Sequence, residues 1–162
     1  MTIASTVNRN DYIGDGATKV YPYAFRILQA EDLLVTVGDL SSPPVPATLV
    51  KDVDYTVSGV LNGTGGNVTL IDAGQAWLDG GGDLLTNYTL TIRRVLELKQ
   101  LTDIRNQGEY FPEIHEDEFD RSRMIDQQQQ DEIDSSVKLP ETIPIADFDP
   151  TLPTNITDIA NA

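Results

Sequence analysis

Over the first hundred positions apolar and polar residues alternate in short runs, and after that the period changes. "KVYPYAF" (Lys19–Phe25), "DLLVTVGD" (Asp32–Asp39), "DYTVSG" (Asp54–Gly59), "NVTLID" (Asn67–Asp72) and "NYTLTIRRVLEL" (Asn87–Leu98) are rich in β-branched and aromatic side chains. Runs of this kind predict strands. The clusters "GDGAT", "SSPPVP", "NGTGGN" and "DGGGD" punctuate them as turns. Closely spaced strands with no helix between them predict an antiparallel β-sandwich or small barrel, not βαβ units. The expected architecture is mainly β: a sandwich over 1–98, a connector over 99–112, and a single α-helix over 113–138. An extended segment rich in proline and acid follows over 139–162, leading toward a possible downstream domain.

Alternation along "YTLTIRRVLEL" puts Tyr88, Leu90, Ile92, Arg94, Leu96 and Leu98 on one face, and Thr89, Thr91 and Arg93 on the other. Arg94 thus falls in an apolar row. A charge there persists when it is paired and hydrogen-bonded, so Arg94 is expected in a structural ion pair. The alternative is an edge position from which the head reaches water.

The helical stretch, "DEFDRSRMIDQQQQDEIDSSVKLP" (Asp117–Pro140), holds few apolar residues and four consecutive glutamines. Counted at 4-3 spacing, His115, Phe119, Ser122, Asp126, Gln129, Ile133 and Ser136 form one line, with Ile125 flanking it. Phe119 and Ile133 stand two heptads apart. One reading is a solvated helix lying on the β domain through Phe119, Met124, Ile125 and Ile133. The other is a weak self-association seam, in which Gln129 bonds to its own copies and fixes register at a cost in affinity.

Charge narrows the partners. Eleven basic residues stand against twenty-six acidic ones in 162 residues, a formal net charge of −15. A phosphate-tracking surface needs clustered Lys and Arg, so no nucleic acid and no anionic membrane surface is expected as partner. A partner with a basic patch fits better. The apolar share, 40%, suffices for one core. The absence of cysteine excludes disulfides. "MTIASTVNRND" lacks the pattern of a signal peptide, and no apolar run approaches the roughly 20 residues that span a bilayer. The N-x-T sequons at Asn62, Asn67, Asn87 and Asn155 read as strand threonines beside turn asparagines.

The search for chemistry yields no enzyme, no cofactor and no metal. "HEDEF" (His115–Phe119) opens like a zinc-protease helix, but Phe119 stands where the second histidine belongs, and His115 is the chain's one histidine. No G-x-S-x-G elbow exists to complete a serine triad. "GTGG" (Gly63–Gly66) and "GGGD" (Gly80–Asp83) lack the Lys-Ser/Thr of a phosphate-binding loop and read as hairpin turns. "DGGGD" also lacks the ligand series of a calcium loop.

The block "LTIRRVLELKQLTDIRNQGEYFPEIHEDEFDRSRMIDQQQQDEIDSSVKLP" resembles the N-terminal tail-attachment region of podovirus tail fibres and tailspikes, the T7-type tail fibre family. Ile92 and Arg94 match the family's closing strand. Gln100, Thr102, Asp103, Gly108, Phe111 and Pro112 match its connector. Asp120, Arg121, Met124, Gln127, Gln128, Glu132 and Asp134 match its helix, and Lys138, Leu139 and Pro140 its exit. Tyr110 adds one residue relative to some versions, and Ser136 stands where an arginine is common. The resemblance implies a homotrimeric virion protein, assembled in the host cytoplasm and fixed to tail adaptor or nozzle proteins, with receptor recognition carried downstream. It implies a trimeric neck built by the helix, with Phe119, Ser122, Ile125, Asp126, Gln129 and Ile133 at its interface. Residues 1–110 would dock on the tail, with "MTIASTVNRND" extended and adaptable.

A different class of function competes: a receptor- or carbohydrate-binding β-sandwich acting at the host surface. Such modules display exposed aromatics over a groove. Trp77, in "GQAWLDGGGD", is the one tryptophan available; the alternative for it is a packed loop anchor. A polysaccharide-cleaving activity would belong to residues beyond Ala162.

Overall fold

Each predicted run becomes a strand, and two further strands join them. The computed structural model describes residues 5–40, 46–99 and 112–136. The strands are β1 (Arg9–Ile13), β2 (Val20–Tyr23), β3 (Leu33–Asp39), β4 (Pro46–Thr48), β5 (Tyr55–Ser58), β6 (Gly66–Leu70) and β7 (Tyr88–Arg94), followed by helix α1 (Pro112–Asp134). They form two antiparallel sheets, ordered β1-β7-β3-β4 and β2-β6-β5. Period-two alternation gives each sheet one apolar face. Leu90 and Ile92 of β7 lie opposite Val37 and Val35 of β3, and all four are buried. Tyr21, Tyr23, Tyr55, Val68 and Leu70 supply the second sheet's buried row, and the two rows belong to one core. Phe25 and Ile27, beyond the end of β2, complete it.

β1 and β4 depart from the expected plan. Arg9–Asp11 were expected to be extended and adaptable, yet they pair with β7 in the register Arg9↔Arg93 to Ile13↔Thr89. An edge strand of this sheet needs little apolar content, because its partner supplies the hydrogen bonds, and none of the β1 residues is fully buried. β4 is three exposed residues that begin at the last residue of the expected turn "SSPPVP". Pro46 is tolerated because it opens a strand at a sheet edge.

The glycine-rich stretches are turns. Gly65 (φ 93°) lies so close to the second sheet that a Cβ there would stand 1.8 Å from the Tyr23 carbonyl oxygen. In "DGGGD" the bridge Leu78↔Leu84 closes a small loop. There the Asp83 and Gly81 N–H groups donate to Asp79 Oδ1 at 2.9 and 2.8 Å. These bonds, Asp83's first, hold the Asp79 carboxyl below the ordinary aspartate range. A depressed folded pKa gives stability that is present above the unfolded value, about 3.9, and is lost as pH falls through the folded value. Asp79→Ala should therefore be less stable than the parent near neutrality, with the gap closing as pH drops below about 5. Urea titrations across that range check this, and a gap that ignores pH contradicts it. Trp77 beside the loop is half-buried and packs against the core, as a loop anchor does.

Helix α1 ends at Asp134, before the expected Lys138. The Ser136 hydroxyl donates to the Ile133 carbonyl at 2.6 Å, closing the last turn. Residues 137–140, which hold the exit match at Lys138–Pro140, lie outside the described residues, as do most of the connector and the segment 139–162. Among the described residues no helix is long and apolar enough to cross a membrane.

Candidate functional site

The helix packs on the β domain with a face that is almost wholly polar. Only one of its apolar side chains, Met124, is fully buried. Around Met124, the side chains at 120, 121, 127, 128 and 131 follow the three- and four-residue spacing of a single helical face, and their partners come from the β domain. Asp120 Oδ2 meets Arg26 Nη1 at 2.8 Å, with both side chains largely buried. Arg121 donates to the carbonyls of Glu97 and Lys99. Gln128 Oε1 accepts the Leu96 N–H at 2.7 Å. Gln127 Nε2 donates to the Ser5 carbonyl at 2.7 Å, and Asn8 Nδ2 donates to the Gln127 carbonyl at 3.2 Å. The helix also has Asp131 Oδ2 3.9 Å from Arg93 Nη1. Most of these groups are hydrogen-bonded, which lets them enter an interface that hydrophobic burial alone would deny them. Among the described residues, Arg94 Nε and Asp131 Oδ2 are buried without a hydrogen-bond partner.

Arg94 sits at the centre of this clamp and is 1% exposed. Its guanidinium donates to Gln127 Oε1 at 2.6 Å, to the Arg26 carbonyl at 3.0 Å and to the Met124 carbonyl at 3.5 Å. It also lies 5.7 Å from the centre of the Phe25 ring. The expected ion pair thus takes another form. Among the described residues no carboxylate touches Arg94, and its hydrogen-bond acceptors are neutral oxygens. Burial lowers the Arg94 pKa to about 10, opposed by the field of the Asp32 carboxylate. Arg94 stays charged at neutral pH. The Asp32 carboxylate itself accepts the Leu28 and Gln29 N–H groups, each at 3.0 Å.

The helical residues shared with the tail-fibre motif, Asp120, Arg121, Met124, Gln127 and Gln128, are the clamp residues. Sequence reading missed that role because hydropathy is silent on a polar contact face. The available signal was their spacing, which has the period of an apolar stripe. Glu132 and Asp134 complete the match but are exposed.

The proposed seam points the other way. At roughly 100° per residue, the line through Phe119, Ser122, Asp126, Gln129 and Ile133 runs half a turn from the clamp. Phe119 is 71% exposed and Ile133 54%, so neither holds the helix to its own domain. Ser122, Asp126 and Gln129 are exposed and Ile125 is half-buried. The Ser122 hydroxyl donates to the Glu118 carbonyl at 2.9 Å, and Asp126 Oδ2 lies 3.4 Å from Arg123 Nη1. The glutamine run is divided between the faces: Gln127 and Gln128 bind the domain, Gln129 lies on the seam, and Gln130 donates to Asp134.

Among the described residues no group of three or more His, Cys, Asp or Glu side chains could hold a metal ion. A β domain that fixes one face of a helix and leaves the other open has the build of a structural module. No protein-family model matches the chain. It is 41% identical over 128 residues to the tail spike protein of Salmonella phage epsilon15, covering 79% of this chain and 11% of that protein. The chain belongs with the podovirus tailspike and tail fibre N-terminal regions. It is a phage tail structural protein.

Proposed function

We propose that this chain is the N-terminal anchor of a phage tailspike or tail fibre, a homotrimer whose β domains dock on tail adaptor or nozzle proteins. One observation carries the reading: the helix is clamped by its polar face, so its Phe119–Ile133 line is held outward, where neighbouring copies can share it. Clamping also gives the neck a fixed direction relative to the anchor, which a freely jointed helix would lack. Similarity to a tail spike protein over most of the chain supports a place in the virion tail. The net charge of −15 fits a basic docking surface, with assembly slowed by salt.

The competing receptor-binding reading needs an exposed aromatic platform, and Trp77 packs against the core instead. The test is deletion of residues 1–110 from the complete gene product, with tail-bound density examined in assembled virions. Loss of that density is expected. Spikes present at normal copy number would overturn the anchor and leave receptor binding in front.

A further inference from the structure

A cleft of about 480 Å³ lies where the chain leaves β7 and passes the helix. Leu98 and Ile125 give it apolar surface, and Glu118, Arg121, Ser122 and Gln129 also line it. Leu98 is 65% exposed although it closes the apolar row that began in β7. The cleft is continuous with the seam, since Ser122, Ile125 and Gln129 belong to both.

We infer that the occupant is a second copy of this chain, whose Phe119 enters the cleft beside Leu98. The inference rests on the threefold reading above and adds the β-domain exit to the interface. Phe119 and Ile125 lie about 120° apart around the helix, at roughly 100° per residue. They occupy opposite flanks of the line through Ser122, Gln129 and Ile133. In a parallel threefold bundle each chain meets one neighbour at each flank, so the Phe119 flank of one copy faces the cleft flank of the next. The symmetry also keeps equal residue numbers at equal height, which brings Phe119 level with Glu118 and Ser122 in the cleft wall. Such a head-to-tail contact repeats around the axis and closes after three copies.

Charge permits this pairing. The cleft lining holds Lys99, Arg121 and one carboxylate, Glu118. The Phe119 flank holds Glu116, Asp126 and one cation, Arg123. Lys99 Nζ is itself bridged to Glu97 Oε2 at 2.6 Å, so the cleft side is close to neutral and does not repel the acidic flank of the next copy.

The chain has no cysteine, so introduced thiols report cleanly. Both positions are exposed in the single copy, and substitution leaves the core intact. The double variant Phe119→Cys, Leu98→Cys, treated with bismaleimidoethane as the full chain, should give a covalent trimer on a denaturing gel. Neither single variant should link, because in this contact neither position meets its own copy. A double variant that sediments as a trimer but links no further than dimers, or only within one chain, overturns the cleft contact and leaves the trimer standing. A chain that sediments as a monomer at high micromolar concentration overturns both.

Discussion

Arg94→Ala is expected to lower the unfolding free energy by on the order of 3 kcal/mol, the upper scale for leaving buried acceptors without their charged donor. The guanidinium binds the Arg26 carbonyl, the Met124 carbonyl and the Gln127 side chain. Alanine therefore strips a shared donor from a strand exit and a helix at once. It also empties the space of a fully buried side chain beside Phe25, which adds a cavity cost. Arg94→Lys keeps a charge but not the planar fork that reaches several acceptors, so it should fall between alanine and the parent. Gln127→Ala removes one acceptor and should cost about 1 kcal/mol. If the clamp is one unit, the double variant with Arg94→Ala should lose less than the sum of the two single losses. Urea unfolding measures all four proteins, and amide exchange over 120–131 shows whether the helix detaches before the sandwich melts. A loss under about 1 kcal/mol for Arg94→Ala would place the side chain among ordinary exposed charges and sink the clamp.

The sandwich was legible from sequence where burial is one-sided. In β3 and β7 alternation separates Val35, Val37, Leu90 and Ile92 from Thr36, Thr89 and Thr91, and the structure keeps that division. Arg94 was legible the same way, because one charge in an apolar row must be accommodated. Its acceptors were not, since they are backbone carbonyls whose positions only the assembled chain defines. β1 and β4 left no hydropathy signal, being edges that bury little. The helix was legible as an element but not as a docked one. Phe119 and Ile133 were equally compatible with holding it down or with meeting other copies, and its real contacts are Asp120, Arg121, Gln127 and Gln128. Polar docking depends on complementary partners such as Arg26 and the Leu96 N–H, and no periodicity in the helix reveals those.

If the proposed trimer forms, Ile133→Asp should leave a folded monomer. In the single copy Ile133 is 54% exposed and faces away from the clamp, so aspartate there costs the isolated fold little. Around a threefold axis the same residue would be buried three times. At about 1.5 kcal/mol per isoleucine, the low end for a side chain already half out of water, the loss totals about 4–5 kcal/mol. That is on the order of a thousandfold in the assembly constant. Three carboxylates gathered near one axis add repulsion to a helix already acidic at Asp126, Asp131, Glu132 and Asp134. A seam with Phe119 and Ile133 as its main apolar contacts, and Ser122, Asp126 and Gln129 between them, has little reserve to absorb such a change. Ile133→Leu keeps the apolar surface and should remain trimeric. Sedimentation velocity across low to high micromolar concentrations distinguishes the species, while circular dichroism and urea midpoints report on the sandwich. A two-stranded parent would end the trimer reading, and an aspartate variant as trimeric as its parent would move the interface off this face of the helix.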